Sequence, residues 1–165
     1  RDQGRTNHVG QTVNVKMLSC NIQGLYQHAN NNDLLRYLQQ YDIVLLCETW
    51  SNYKGEFDGL LHNYSHFDCT RECDLNSIRN SGGVYVFIRD SFCKLNIVRR
   101  IYEHVADCVI LLFQFFSIMF DMPDIVMYFA SPKRSFIYRT QEEKNGITLL
   151  QENYDKIIND FPDCS

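Results

Sequence analysis

Ile43-Val44-Leu45-Leu46-Cys47 is an unbroken apolar run, and Glu48 follows it at once. Such a run has no polar face to turn toward water. It reads as a strand buried on both sides, the setting of a central strand in an α/β sheet. A helical pattern stands just before it, with Leu34, Leu35, Leu38 and Tyr41 on one face and Arg36, Gln39 and Gln40 on the other. Asn30, Asn31 and Asn32 offer N-caps, and Asp42 is read as closing this helix. Upstream, Val13 to Cys20 reads as a strand ending in the turn Asn21-Ile22-Gln23-Gly24. Strand, helix, strand in that order argues for a βαβ unit with a parallel strand pair.

After Trp50 the chain turns polar. Ser51 to Ser81 is rich in Asn, Asp, Cys and His and reads mostly as loop, with a short strand near Tyr64 to Asp68. Gly82-Gly83 marks a turn into a buried strand, Val84 to Ile88. Cys108 to Phe113 and Asp124 to Phe129 read as a hairpin pair joined near Asp121 to Pro123. Arg99-Arg100 is read as a loop between strands. Ile147, Leu150, Tyr154, Ile157, Ile158 and Phe161 recur at three- and four-residue intervals, a final helix that Pro162 stops.

The composition is that of a folded domain: 165 residues, 45% hydrophobic and 22% charged. The formal net charge of −4 excludes a strongly basic coat as the basis of nucleic-acid binding. The apolar stretch from Cys108 to Phe120 is too short for a spanning helix, which needs roughly 20 residues. No membrane partner is expected. Seven cysteines, an odd number, two of them inside apolar runs, fit reduced thiols in an intracellular chain, nuclear or cytoplasmic and not secreted. Residues 1–12 are polar, with no apolar signal-peptide core.

Two positions stand out chemically. Glu48 puts a carboxylate at the end of an apolar strand, where ligands gather in open α/β sheets and where a hard cation such as Mg²⁺ finds an oxygen ligand. The alternative is a solvated strand-end Glu. Asn21 ends the first strand with a carboxamide able to meet a phosphate or a metal-bound water, and Gly24 permits close backbone approach; the alternative is a turn Asn. If the two strands are parallel neighbours, both side chains belong to one sheet edge. A carboxamide beside a carboxylate suits metal-assisted phosphoester chemistry.

Taken in order, Asn21-Ile22-Gln23-Gly24-Leu25, Cys47-Glu48-Thr49-Trp50, Gly82-Gly83-Val84, and Tyr128 with Ser131-Pro132 resemble the endonuclease/exonuclease/phosphatase superfamily. Within it, Glu-Thr-Trp and the Tyr…Ser-Pro turn are most similar to the endonuclease domain of non-long-terminal-repeat retrotransposons. The resemblance runs from about Val13 to Phe161. It implies an α/β fold, part of a two-sheet sandwich of mixed sheets flanked by helices. It further implies a Mg²⁺-dependent phosphodiesterase, with Mn²⁺ as a substitute, that nicks DNA. By similarity, Glu48 binds the metal, Asn21 helps shape the metal site and orients the attacking water or the phosphate, and Tyr128 hydrogen-bonds the scissile phosphate.

The sequence departs from the family in three places. Gln23 stands where abasic endonucleases often carry an acid. Tyr128-Phe129-Ala130-Ser131-Pro132 is one residue longer than the usual Tyr-x-Ser-Pro. The Gly-Asp-x-Asn motif and the later Asp-His pair, which supply the remaining water-activating and phosphate-binding groups, do not occur. Residues 13–165 are therefore expected to be the N-terminal portion of a larger domain, cut before its second half, with a reverse-transcriptase region in the parent protein. This portion is expected to supply most of one sheet, to leave the inner face of that sheet imperfectly covered, and to be inactive alone. The alternatives are a non-catalytic remnant or interaction fragment, and another phosphoesterase of the same fold acting on phospholipid, inositol phosphate or RNA.

Other clusters carry weaker signals. His62, His66, Cys69 and Cys73 have zinc-ligand chemistry but not the spacing of a zinc finger, and a variable loop with ordinary histidines and thiols is the favoured reading. Lys133, Arg134 and Arg139 follow the Tyr128 turn, either to steer a phosphate backbone or as a solvated loop. Phe113, Phe115, Phe116 and Phe120 read as core.

Overall fold

In the computed structural model, residues 14–70, 82–100, 108–115 and 125–130 are described, together with 152, 155, 156 and 158–160. Among these residues, seven strands fall into two sheets. The first has the order β1-β2-β4-β3, built from β1 (Met17–Asn21), β2 (Ile43–Cys47), β3 (Tyr64–Cys69) and β4 (Val84–Arg89). The second has the order β5-β6-β7, from β5 (Asn96–Arg100), β6 (Cys108–Phe115) and β7 (Ile125–Ala130). Helix α1 (Asn32–Leu38) links β1 to β2, and α2 (Asp90–Leu95) follows β4.

The βαβ unit is present. β1 and β2 run parallel, in a register that sets Asn21 against Cys47. Asn31 caps α1, its side chain accepting from the N–H groups of Asp33 and Leu34, both at 3.1 Å. The helix is shorter than its apolar spacing implies. It ends at Leu38 and not at Asp42, because the following carbonyls of Gln39 and Tyr41 accept from the Arg89 guanidinium, and the Asp42 N–H donates to Lys16 O at the start of the strand pair. β4 is antiparallel to both β2 and β3, which makes the first sheet mixed.

Both faces of the central strands are covered, as their apolar runs demand. Val44, Leu46, Tyr85 and Phe87 pack on one side with Ile22, Leu25 and Leu38 from the β1–β2 connection and with Phe57 and Leu61. Ile43, Val84, Val86 and Ile88 pack on the other side against Leu111 of β6. The expectation of one sheet with a poorly covered inner face is thus corrected. The chain supplies strands to both sheets, and Val84, Val86 and Ile88 are fully buried between them. Local patterning points to the β6–β7 hairpin but not to the pairing of β6 with β5 or to the sheet that the hairpin joins. Strand β6 pairs antiparallel with β5 and β7 and stacks across β4 instead of extending its sheet.

Arg99-Arg100 is likewise corrected from loop to strand, since both lie in β5 opposite Leu112 and Leu111. Arg100 Nη1 donates to Asp68 O at 2.8 Å, tying the last residue of β5 to the end of β3. The hairpin of β6 and β7 is as expected, although the connection at Asp121 to Pro123 lies outside the described residues. In the final helix Glu152, Asp155, Lys156, Ile158, Asn159 and Asp160 are helical and exposed, while Ile147, Leu150, Tyr154, Ile157 and Phe161 lie outside the described residues.

Candidate active site

The carboxyl ends of β1 and β2 open on one edge, and their pairing continues past the strands. Ile22 N–H donates to Cys47 O at 3.0 Å, Gly24 N–H to Glu48 O at 2.8 Å, and Leu25 N–H to Thr49 O at 2.9 Å. The two exit loops are zipped together, so Asn21 and Glu48 are carried on one continuous piece of backbone pairing. Asn21 is exposed, and its Oδ1 accepts the Gln23 N–H at 3.2 Å, a local Asx turn. A carboxamide oxygen has two lone pairs and retains acceptor capacity in such a turn.

Glu48 is half-buried. Its Oε2 accepts two N–H groups, from Gly82 at 2.9 Å and from the Trp50 indole at 3.1 Å. The Gly82-Gly83 turn is therefore more than punctuation before β4. Its backbone also exchanges bonds with the loop after β2, Trp50 N–H donating to Gly82 O and Thr49 N–H to Gly83 O. The Trp50 ring lies over Gly24 so closely that a Cβ there would sit 2.6 Å from Trp50 Cε3. Only glycine fits, which gives the Gly24 of the sequence motif a steric reason.

The backbone here is strained. Gln23, Glu48 and Trp50 all have positive φ, at 49°, 55° and 54°. For residues with side chains this costs on the order of 1–2 kcal/mol each. Three of the four such non-glycine residues among those described cluster at this strand-end site. Strain kept in this way marks a conformation that the surrounding packing enforces.

Behind Glu48 a polar chain runs through the protein. Thr49 and Ser51 are buried, and Thr49 Oγ1 lies 3.4 Å from Ser51 Oγ, which lies 3.3 Å from Thr70 Oγ1. Thr70 donates to buried Asp68 Oδ2 at 3.0 Å, and Gly55 N–H reaches the same oxygen at 3.2 Å. The contributions of Trp50, Gly82 and this chain were not read from sequence. The Glu-Thr-Trp and Gly-Gly motifs were the available signals, but their meeting requires a contact 34 residues apart.

Tyr128 lies in β7 opposite Ile110, two residues before the strand's last residue, Ala130. Ala130 pairs with Cys108, and Arg100 at the adjoining end of β5 is bonded to the end of β3. The carboxyl end of β7 therefore lies toward the same end of the two sheets as the carboxyl ends of β1 and β2. Ser131, Pro132, Lys133, Arg134 and Arg139 lie outside the described residues.

The structure separates the zinc-like cluster. His66 and Cys69 are three apart on β3 and so project from opposite faces of the sheet. His66 Nε2 pairs instead with Asp58 Oδ1 at 2.6 Å, and His62 is exposed. Cys73 lies outside the described residues. Among those described, no three His, Cys, Asp or Glu side chains gather as a metal cluster, and Cys20, Cys47, Cys69 and Cys93 are not joined in disulfides.

A model of the Endonuclease/Exonuclease/phosphatase family matches residues 18–149, which include β1 with Asn21, β2 with Glu48, and Tyr128. The chain belongs to the endonuclease/exonuclease/phosphatase family. Among solved structures, the AP endonuclease LMAP from Leishmania major is similar over 88% of this chain and 46% of its own, with a TM-score of 0.50 and 15% identity. TDP2 from C. elegans is similar over 90% of this chain and 44% of its own, with a TM-score of 0.46 and 15% identity. The chain thus spans less than half the length of either. No curated protein matches. The family assignment agrees with the mixed first sheet and the second sheet packed over it. Among the described residues, no helix is long and apolar enough to cross a membrane.

Proposed function

We propose that this chain is the N-terminal part of a divalent-metal-dependent phosphodiesterase acting on DNA, of the endonuclease type found in non-long-terminal-repeat retrotransposons. One observation carries the reading: the parallel pair β1–β2 ends with Asn21 and Glu48 on one edge, their exit loops zipped by backbone hydrogen bonds. The donor set fits the group the family implies. A carboxylate and a carboxamide supply hard oxygen ligands, and Mg²⁺ binds through one or two carboxylates while keeping several waters. Mn²⁺ would serve in its place.

In this reading Glu48 holds the cation, with its carboxylate fixed by Gly82 and Trp50. Asn21 orients the attacking water or the phosphate. Tyr128, near the end of β7, hydrogen-bonds the scissile phosphate. The bound cation would neutralise charge developing on the phosphoryl oxygens. The Asp, Asn and His groups that complete the reaction in relatives belong to the rest of the domain. We assign the parent protein a reverse-transcriptase region, a DNA substrate and an intracellular site of action.

The test compares this 165-residue chain with a version extended by the sequence that follows it in its parent transcript. The extended protein is expected to nick supercoiled DNA with Mg²⁺ and to lose that activity on Glu48→Gln. The chain alone is expected to show none above background. Nicking that survives Glu48→Gln would refute the assignment, and hydrolysis of phospholipid or inositol phosphate in place of DNA would redirect it.

A further inference from the structure

Trp50 touches both halves of the candidate site. Its indole N–H donates to Glu48 Oε2 at 3.1 Å, beside the Gly82 N–H on the same oxygen. Its six-membered ring closes over Gly24, in the loop that leaves Asn21 and is bonded to the Glu48 carbonyl. Trp50 itself has a φ of 54°, a backbone state unfavourable for a large residue. A tryptophan needed for packing alone would be satisfied by apolar contact. Here the polar atom of the ring is spent on the carboxylate, and the flat face locks the neighbouring loop.

We infer that Trp50 is a positioning residue for a divalent cation at Glu48 and Asn21. Two N–H donors on one oxygen fix the rotation of the carboxylate, and partners of this kind orient a ligand without touching the metal. The inference rests on the proposed role of Glu48 and adds the residue that sets its orientation. Trp50 is also the single tryptophan of the chain. Its emission is therefore a built-in reporter of what happens at Glu48.

The experiment uses the 165-residue chain with Mn²⁺ as the probe, measured by calorimetry, and Mg²⁺ titrations followed by tryptophan emission. Three variants are compared with wild type: Glu48→Gln, Trp50→Phe, and replacement of Trp50 by benzothienylalanine, which keeps the ring shape but has sulfur in place of the N–H. The expected result is a saturable emission change in wild type that Glu48→Gln abolishes. Both Trp50 variants are expected to bind Mn²⁺ about tenfold more weakly, with the thermal midpoint of the sulfur isostere close to wild type. Equal Mn²⁺ affinity in wild type and the isostere, with binding still lost in Glu48→Gln, would overturn the role of Trp50 and leave that of Glu48 standing. An affinity loss that only follows a lowered midpoint in both Trp50 variants would reduce Trp50 to packing and also overturn it. Wild-type protein without saturable Mn²⁺ binding, or Glu48→Gln binding normally, would overturn the metal role of Glu48 and this inference with it.

Discussion

Arg89 Nε lies 3.2 Å from Asp42 Oδ1, at the edge of the first sheet opposite the one that carries Asn21 and Glu48. The same guanidinium donates to the carbonyls of Gln39 and Tyr41 and lies 5.0 Å from the centre of the Tyr64 ring. It serves four groups where α1 hands over to β2. Arg89→Met is expected to destabilise the fold by about 2–4 kcal/mol, because the charge-assisted bonds are lost and the half-buried carbonyls of Gln39 and Tyr41 keep only the single Tyr64 hydroxyl between them as a donor. Asp42→Asn should cost less, since the carbonyl bonds survive. Urea midpoints of the two variants check the order.

A Cβ on Gly83 would sit 2.6 Å from Thr49 Oγ1, and its φ of +85° already disfavours any side chain. Gly83→Ala is therefore expected to cost more than the backbone strain alone, about 2–4 kcal/mol in all. Gly59, with φ +78° and open space around it, is the control for strain without collision. A second substitution, Thr49→Ala, should restore part of the loss in Gly83→Ala. Denaturation of Gly83→Ala, Gly59→Ala, Thr49→Ala and the Gly83→Ala/Thr49→Ala double variant measures both terms.

Asn21 and Glu48 should behave differently when truncated. Asn21 is exposed and its one local turn bond is worth about 0.5–1.5 kcal/mol. In an extended, active domain Asn21→Ala is expected to lower turnover with little effect on the melting temperature. Glu48→Ala is expected to weaken metal binding and also to destabilise by about 1–3 kcal/mol, because two partly buried N–H donors lose their acceptor. Glu48→Gln keeps an acceptor and should recover the stability without the metal affinity. Melting curves read beside metal titrations separate the two effects.

Burial pushes the Cys47 thiol up to about 11, with the neighbouring Glu48 adding to the rise. Tyr64, Tyr85 and Cys93 move the same way, chiefly through burial. Each raised group holds its proton longer folded than unfolded. Its contribution is complete below the unfolded value and is lost as pH climbs through the folded one. Stability should accordingly fall between pH 9 and 11, which denaturant midpoints across that range would register. Cys47 should react with a thiol reagent only after the partly exposed Cys20 and Cys69.

The apolar runs Ile43 to Cys47 and Val84 to Ile88 were legible because two buried faces leave no room for polar residues. Asn31 was legible as a cap because its chemistry is local. Arg99-Arg100 was misread because charged residues on one strand resemble a loop until their pairing with β6 is known. The second sheet was misread for a related reason: the β6–β7 hairpin is local, but the pairing of β6 with β5 and the stacking of that sheet on the first are long-range choices with no local signature. At the site, the strand-end positions of Asn21 and Glu48 followed from the βαβ pattern. The bond from Gly82 to Glu48 did not, since a backbone N–H has no letter in the sequence.

Among the described residues β1 pairs only with β2, whereas β2 lies between β1 and β4. Asn21 therefore rides on a margin and Glu48 on the interior of the same sheet. Edge strands detach at a lower free energy than the whole domain needs to unfold. The cohesion of the site therefore depends on the hold on β1, which comes from its pairing with β2, the zipped exit loops and the burial of Ile22 and Leu25. Amide hydrogen exchange would show this as β1 protons lost well ahead of those of β2 and β4, and what steadies that margin also steadies the chemistry.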